Sequence, residues 1–401
     1  MKRLLLLAYY FPPDDAIGGA RPYRFYKYLK KLGYDCQVVT AAPQNETRPD
    51  VHFVEDPLRQ RPRQGVAGQV ERISWKFLLR GHLALAWAER AVRAARSLMM
   101  KATQPLTILS TGPPVGTHLA AWRLARQFGV RWIADFRDPI HNAGGEQAPL
   151  QQFFAPRLER RILHRADVVL ANTDTMSEQW LRRDRTLEGK IHVLWNGFDP
   201  EDRIVTYRLP GRDRKVWSHV GELYAGRDLG PVFDAMDRLI RKGALSPTEV
   251  LLKQVGATEA ACLPEINRSE QASALGWFSM QEPVAAAEAR GIALDSDGLV
   301  LVQPQTSVQV PGKMFEYLRV GRPILAYIRR DSPIEKILSQ TDIPYICMYP
   351  ENTPSEQEAA ILGFRDRMCP EPAAPGRWFE EQFAAPAQAL ILDRLIGDTG
   401  P

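Results

Sequence analysis

Residues 299–328 form the run that most limits what this chain can become. The apolar, partly β-branched segment 299–302 reads as a buried strand, and a polar loop follows at 303–309. Pro311-Gly312 then opens a helix, because proline is tolerated in a first helical turn and glycine admits close backbone approach. Met314, Phe315 and Leu318 give that helix an apolar side, Gly321 stops it, and Ile324–Ile328 reads as the next strand. A strand, a helix and a strand in this order belong to an α/β sheet.

Lys313 and Glu316 lie three residues apart, so they share one face near the start of the helix. Unbonded amide N–H groups, the positive end of the helix dipole and a lysine together suit a phosphate. Glu316, one turn deeper, is placed to accept hydrogen bonds from a pair of sugar hydroxyls. A surface Lys–Glu pair on an ordinary helix accounts for the same spacing.

A chain of 401 residues exceeds one ordinary domain, and two are expected. With 45% hydrophobic and 25% charged residues its balance is that of a globular protein. The apolar opening at 4–8 is too short for a signal peptide, and no apolar run is long enough to span a bilayer. Cys36, Cys262, Cys347 and Cys369 show neither metal-ligand nor redox spacing, and free thiols in a reducing cytoplasm are expected. The net charge of +5 fits a phosphate-bearing substrate or an anionic membrane face. No zinc-finger or RNA-binding signature is present, so nucleic acid is not an expected partner.

From its start the chain repeats the α/β pattern. A strand at 2–8, a Pro/Asp-rich loop ending in Gly18-Gly19, a helix at 21–32 and a strand at 36–40 open a doubly wound sheet. Gly18-Gly19 is not a dinucleotide fingerprint; it suits a loop aimed at a cleft, or a plain turn. Residues 43–70 read as a surface loop, and 75–101 as a long basic amphipathic stretch. In that stretch Leu79, Leu83, Trp87, Ala91 and Ala94 lie on one side, with Arg80, Arg90, Arg93 and Arg96 around it. Packing against the sheet is the favoured reading, with contact to a membrane surface the alternative.

Strands at 108–110 and 132–136 follow, the second leading into Arg137-Asp138-Pro139. Polar residues crowded after a buried strand are where α/β proteins place chemistry, although an internal salt bridge explains Arg137 equally well. His118, on the intervening helix at 117–128, reads as structural. A helix at 155–165, a strand at 166–172, a helix at 177–183 and a strand at 191–195 lead to Asn196-Gly197. This turn and the polar segment after it mark the expected boundary. A second α/β series starts at 215 and turns through 221–228, where Arg227 could clamp an anion. Helices at 229–241 and 282–290, strands at 250–255 and 345–349, a Pro/Glu-rich stretch at 351–376 and a helix at 378–396 interrupted near Pro386 complete the series.

These pieces resemble a GT-B glycosyltransferase of the family-4 type, which transfers sugars from nucleotide donors with retention of anomeric configuration. The resemblance is carried in order by Tyr10-Phe11-Pro12-Pro13 with Gly18-Gly19, by Ser110-Thr111-Gly112-Pro113-Pro114 and by Asp135-Phe136-Arg137-Asp138-Pro139. It continues through Asn196-Gly197-Phe198-Asp199 and residues 221–228, and ends with residues 310–318 and Gly321-Arg322-Pro323. It implies an α/β fold of two Rossmann-like doubly wound domains facing across a cleft. Residues 1–198 would form the acceptor side, 199–376 the donor side, and 377–401 a helix returning to the first domain. Glu316 matches the glutamate that holds the donor ribose, and Pro311, Gly312 and Lys313 match the loop and helix start beside the diphosphate. Arg227 falls where the family places a cation on that diphosphate, and Gly18-Gly19 matches the facing loop of the first domain. Arg137 and Asp138 lie where acceptor-side polar groups are often presented. Two positions depart from the family: Val308 stands where a second glutamate is typical, and Glu222 where an arginine usually follows the loop glycine.

The resemblance thus implies transfer from a nucleotide sugar, a UDP- or GDP-sugar; the basic charge and the amphipathic stretch favour a glycan or lipid-linked acceptor, as in cell-surface polysaccharide biosynthesis, in the cytoplasm or at the inner membrane face. Arg227 and Lys313 would stabilise charge on the leaving diphosphate, with Arg137 and Asp138 on the acceptor side. No Asp-x-Asp motif sits in a loop suited to a metal, so neither a metal nor another cofactor is expected. A nucleotide-sugar epimerase of the same fold and a non-catalytic nucleotide-sugar or partner-binding protein are the competing readings.

Overall fold

A computed structural model describes residues 2–13, 17–43, 48–56, 83–100, 106–140, 149–208, 214–224, 226–259, 269–368 and 371–397. The chain forms two compact units, Met1–Gly197 with Ala385–Pro401, and Phe198–Ala384.

The first unit is built on seven parallel strands: β1 (Arg3–Ala8), β2 (Asp35–Thr40), β3 (Val51–Phe53), β4 (Leu106–Gly112), β5 (Trp132–Phe136), β6 (Val168–Ala171) and β7 (Ile191–Val193). They lie in the order β3-β2-β1-β4-β5-β6-β7, with Leu6 of β1 beside both Val38 and Leu109. The four leucines of β1 show why the strand runs apolar without alternation. Leu5 and Leu7 enter the core layer that holds Trp87, Leu124 and Trp132, whereas Leu4 and Leu6 enter the opposite layer with Phe25, Leu29 and Leu392. Helix Leu85–Met100 buries Trp87, Ala88, Ala91, Val92, Ala95 and Met99, so its apolar stripe packs in this core. Residues 75–82 and 101 of the expected amphipathic stretch lie outside the described residues.

The second unit holds six parallel strands: β8 (Lys215–Val220), β9 (Val250–Val255), β10 (Phe278–Gln281), β11 (Gly298–Gln303), β12 (Ile324–Ile328) and β13 (Tyr345–Met348). Their order, β10-β9-β8-β11-β12-β13, reverses direction between β8 and β11, as the first sheet does between β1 and β4. In open parallel sheets the crevice at the carboxyl ends beside such a reversal is where ligands bind.

Several elements differ from the sequence expectation. The short strands β3 and β10, at sheet edges, are not among the expected strands, whereas β7 and β13, at the opposite edges, are. Within the Pro/Glu-rich stretch at 351–376, to which the sequence reading assigns no element, Pro354–Asp366 is a helix. Its Thr353 side chain and the Glu356 side chain satisfy each other's backbone N–H groups in a capping box. Near the carboxyl end the helix breaks at extended Ala384 into Arg377–Phe383 and Ala385–Gly397. Only the latter joins the first unit. Arg377–Phe383 stays with the second, where Phe379 stacks on Phe198 with ring centroids 5.0 Å apart and Phe383 meets Phe315 at 4.9 Å. Cys36 and Cys347 are free thiols; Cys262 and Cys369 lie outside the described residues. No helix among the described residues is long and apolar enough to cross a membrane.

Candidate functional site

In the second unit the loop after β8 and the helix that follows β11 meet at the sheet reversal. Helix Gly312–Val320 starts after an extended Pro311 with no side chain capping it, and ends at Gly321 in the left-handed conformation. The Met314 N–H donates to the Pro311 carbonyl at 3.0 Å, which leaves the Gly312 and Lys313 amides as donors at the helix start. A side chain built on Gly312 would touch nothing, so space is open beside this helix start. One turn further in, Tyr317 straps the helix to the end of β8. Its hydroxyl accepts from the Val220 N–H at 2.7 Å and donates to the Val220 carbonyl at 3.3 Å.

That strap places Lys313 over Gly221. Gly221 has φ +140, and a Cβ there would lie 2.3 Å from Lys313 Nζ, so the position is glycine for both conformation and room. Burial and the neighbouring Arg227 guanidinium pull the Lys313 pKa down to about 7, against a smaller raising influence from Glu222. Lys313 Nζ lies 2.9 Å from Nε2 of His219, a residue 1% exposed in β8. His219 Nδ1 in turn lies 2.6 Å from the Gln254 side-chain carbonyl on β9. Burial and the two nearby cations hold the His219 pKa well below its usual value, so its ring is neutral. Arg227 lies over the Tyr224 ring, its guanidinium carbon 4.4 Å from the centroid. Glu316, half-buried on the same helix, has a carboxylate oxygen 3.8 Å from Arg319. The second unit thus gathers Arg227, Pro311, Gly312, Lys313 and Glu316 on two neighbouring segments.

Gly18, Gly19, Arg137 and Asp138 belong to the first unit. Gly18 and Gly19 form a 3₁₀ turn leading into helix Ala20–Lys31. The Arg137 guanidinium donates to the carbonyls of Gly18, Gly112 and Pro113, and the Arg137 carbonyl accepts from Asn172. Arg137 is therefore engaged as a clamp on the chain at the ends of β1 and β4. Below it, Arg21 pairs with both carboxylate oxygens of fully buried Asp135, the closest contact being 2.7 Å, and Thr111 donates to the same carboxylate. His118 is structural: its Nδ1 meets the Ser110 hydroxyl at 2.9 Å, burial pushes its pKa down to about 3, and its ring packs on Phe136. Among the described residues no group of three His, Cys, Asp or Glu side chains could hold a metal ion.

His219, Gln254 and the Arg21–Asp135 pair escaped sequence reasoning. The histidine and the glutamine sit inside apolar strand runs, and only the parallel pairing of β8 with β9 makes them neighbours.

Two doubly wound parallel units over one chain define the class: the fold is GT-B, shared with solved glycosyltransferases. More particularly, residues 18–197, within the first unit, match the family model described as a glycosyl transferase 4-like domain. No curated protein matches the chain by sequence. Among solved structures, sucrose-phosphate synthase from Thermosynechococcus elongatus is similar with a TM-score of 0.67 at 15% identity, over 98% of each chain. Anabaena HepE in complex with UDP-glucose aligns with a TM-score of 0.65 at 11% identity, over 99% of this chain and all of that one. A UDP-forming trehalose-phosphate synthase from Burkholderia xenovorans, in complex with glucose-6-phosphate, has a TM-score of 0.65 at 13% identity, over 99% of this chain and all of that one. At these identities the likeness is one of fold.

Proposed function

We propose that this chain transfers a sugar from a UDP- or GDP-sugar to a glycan or lipid-linked acceptor, with retention of anomeric configuration. The observation that carries the reading is the Lys313 ammonium, half-buried beside a second cation, Arg227, at an uncapped helix start. Holding two like charges together in a poorly solvated place costs stability, and a bound diphosphate would offset that cost. Neutral His219 holds the lysine without cancelling its charge.

As the sugar–phosphate bond breaks, negative charge grows on the leaving diphosphate. Lys313, Arg227 and the amides of Gly312 and Lys313 would stabilise that charge more than the ground state, which is how prearranged donors accelerate such a step. Glu316 would take the ribose hydroxyls. In the first unit Arg137 acts by holding the Gly18 and Gly112–Pro113 loops, and Asp138, next along the chain, is the acceptor-side polar group. HepE and the trehalose-phosphate synthase, as described, were captured with a UDP-sugar or form UDP, which favours UDP as the nucleotide here. The net charge of +5 supports an acceptor at an anionic surface, as in cell-surface polysaccharide assembly.

Titration calorimetry with UDP and GDP tests the donor assignment. Lys313→Ala and Arg227→Ala are each expected to weaken nucleotide binding at least about tenfold, the scale of losing a charge-assisted hydrogen bond. Unchanged affinity in both variants sinks the proposal. Incubation with donor alone should give neither a new nucleotide sugar nor rapid nucleotide release. An epimerised sugar would instead reveal an epimerase.

A further inference from the structure

The donor reading places a diphosphate on Lys313; what holds Lys313 there is a relay through two buried side chains on adjacent strands. His219 and Gln254 are cross-strand partners in the β8–β9 register. The Gln254 amide nitrogen donates to the Gly221 carbonyl at 2.9 Å and reaches the Gly256 carbonyl at 3.4 Å. With its nitrogen committed to carbonyls, its oxygen must face His219, so the shared proton belongs to His219 Nδ1. His219 Nε2 then presents a lone pair, and Lys313 Nζ at 2.9 Å donates to it. The same relay thus touches the loop glycine from below, through Gln254, and the lysine above it.

We propose that His219, kept by Gln254 as the tautomer with its proton on Nδ1, is the positioning residue that receives Lys313 and fixes its ammonium over Gly221 for the donor diphosphate. This deepens the donor reading and rests on it. A neutral acceptor suits the task chemically. A carboxylate at this place would orient the lysine equally well but compete with the phosphate for its charge. An imidazole occupies one N–H and leaves the others, with the full positive charge, for phosphate oxygens.

The charged groups facing Lys313 are Arg227, which opposes its protonation, and Glu222, which favours it, both from the segment after β8. Diphosphate binding selects the ammonium, so the protein should take up a proton on binding once the pH passes about 7. Above that point affinity should fall about tenfold per pH unit, because the ammonium must first be formed. Removing the His219 acceptor withdraws support from the ammonium and moves the break to lower pH.

The experiment is UDP titration calorimetry between pH 6 and 9, in buffers of different ionisation heat, for the full chain and for H219F, H219Q, K313A and the H219F/K313A double variant. Ionisation of UDP itself is common to all and cancels between them. H219F is expected to bind UDP at least about tenfold more weakly at neutral pH, with its break shifted down. In H219Q the amide oxygen can accept from Lys313, and part of the loss should be restored. Because His219 acts through Lys313, H219F should weaken the K313A protein no further, a comparison that holds even if H219F lowers stability. Wild-type affinity and an unmoved break in H219F overturn the proposal, as does an equal loss on adding H219F to K313A. If K313A alone binds UDP as the unaltered chain does, the donor reading falls and this inference with it.

Discussion

Lys313 shows at the scale of one residue how a binding site is held against stability. Its ammonium is more exposed to water in the unfolded chain than beside Arg227, so its folded pKa lies below the unfolded value. The sign follows directly. Below about pH 7 the lysine is charged in both states and the full cost is present; between there and the ordinary lysine value the folded protein sheds the proton and the cost fades. Lys313→Met should therefore raise the stability of the ligand-free protein by roughly 1–3 kcal/mol at pH 6 and by less at pH 9. Thermal melts at the two pH values check this; an equal or larger gain at pH 9 contradicts it.

Much of this cluster is legible before folding, because Pro311, Gly312 and Lys313 act through a helix terminus whose position the Pro-Gly and Gly321 signals mark locally. His219 is not legible. Nothing in the run Trp217-Ser218-His219-Val220 distinguishes a ring that orients a lysine from one that fills a core. That meaning comes from Gln254, thirty-five positions away in sequence and adjacent only in the sheet. Arg137 stands between these cases. Its place after β5 is readable, but its commitment to three loop carbonyls is not.

At the scale of elements, the buried strands are the readable part. A parallel sheet covered on both faces demands apolar residues at every position, and runs such as Leu4-Leu5-Leu6-Leu7 can serve little else. Edge strands carry no such demand: β7 and β13 still show apolar runs, whereas β3 and β10, on the opposite edges, have no comparable signature. Helix Pro354–Asp366 did have one. Thr353 and Glu356 stand in capping-box spacing with Pro354 at the first turn, and Ile361 and Phe364 supply the buried side. Thr353→Ala should cost about 0.5–2 kcal/mol, since it leaves the Glu356 N–H without its side-chain acceptor. Chemical denaturation followed by tryptophan fluorescence reads this unit, because Trp217 packs edge-on against Phe364, with centroids 4.9 Å apart. A shift below about 0.3 kcal/mol would show that the cap is dispensable.

At the scale of the molecule, the first unit is sewn from two distant pieces of sequence. Helix Ala385–Gly397 buries Ala389, Leu392 and Ile396, and Gln388 donates to the carbonyls of Trp195 and Asn196. Asp393 accepts from Lys2 and from the Tyr34 hydroxyl, each at 2.6 Å. Leu392 is fully buried among Leu4-layer residues, and Leu392→Ala should destabilise this unit by about 2–5 kcal/mol. Hydrogen exchange at β1 and β2 is the readout; protection unchanged there would mean the helix is an ornament.

The second unit, by contrast, is one uninterrupted segment, Phe198–Ala384. During synthesis that segment is complete on its own while the earlier sheet still lacks a wall. The half of the protein made first is then the half that finishes second, and a nick near residue 384 would strike the unit whose strands begin at residue 3.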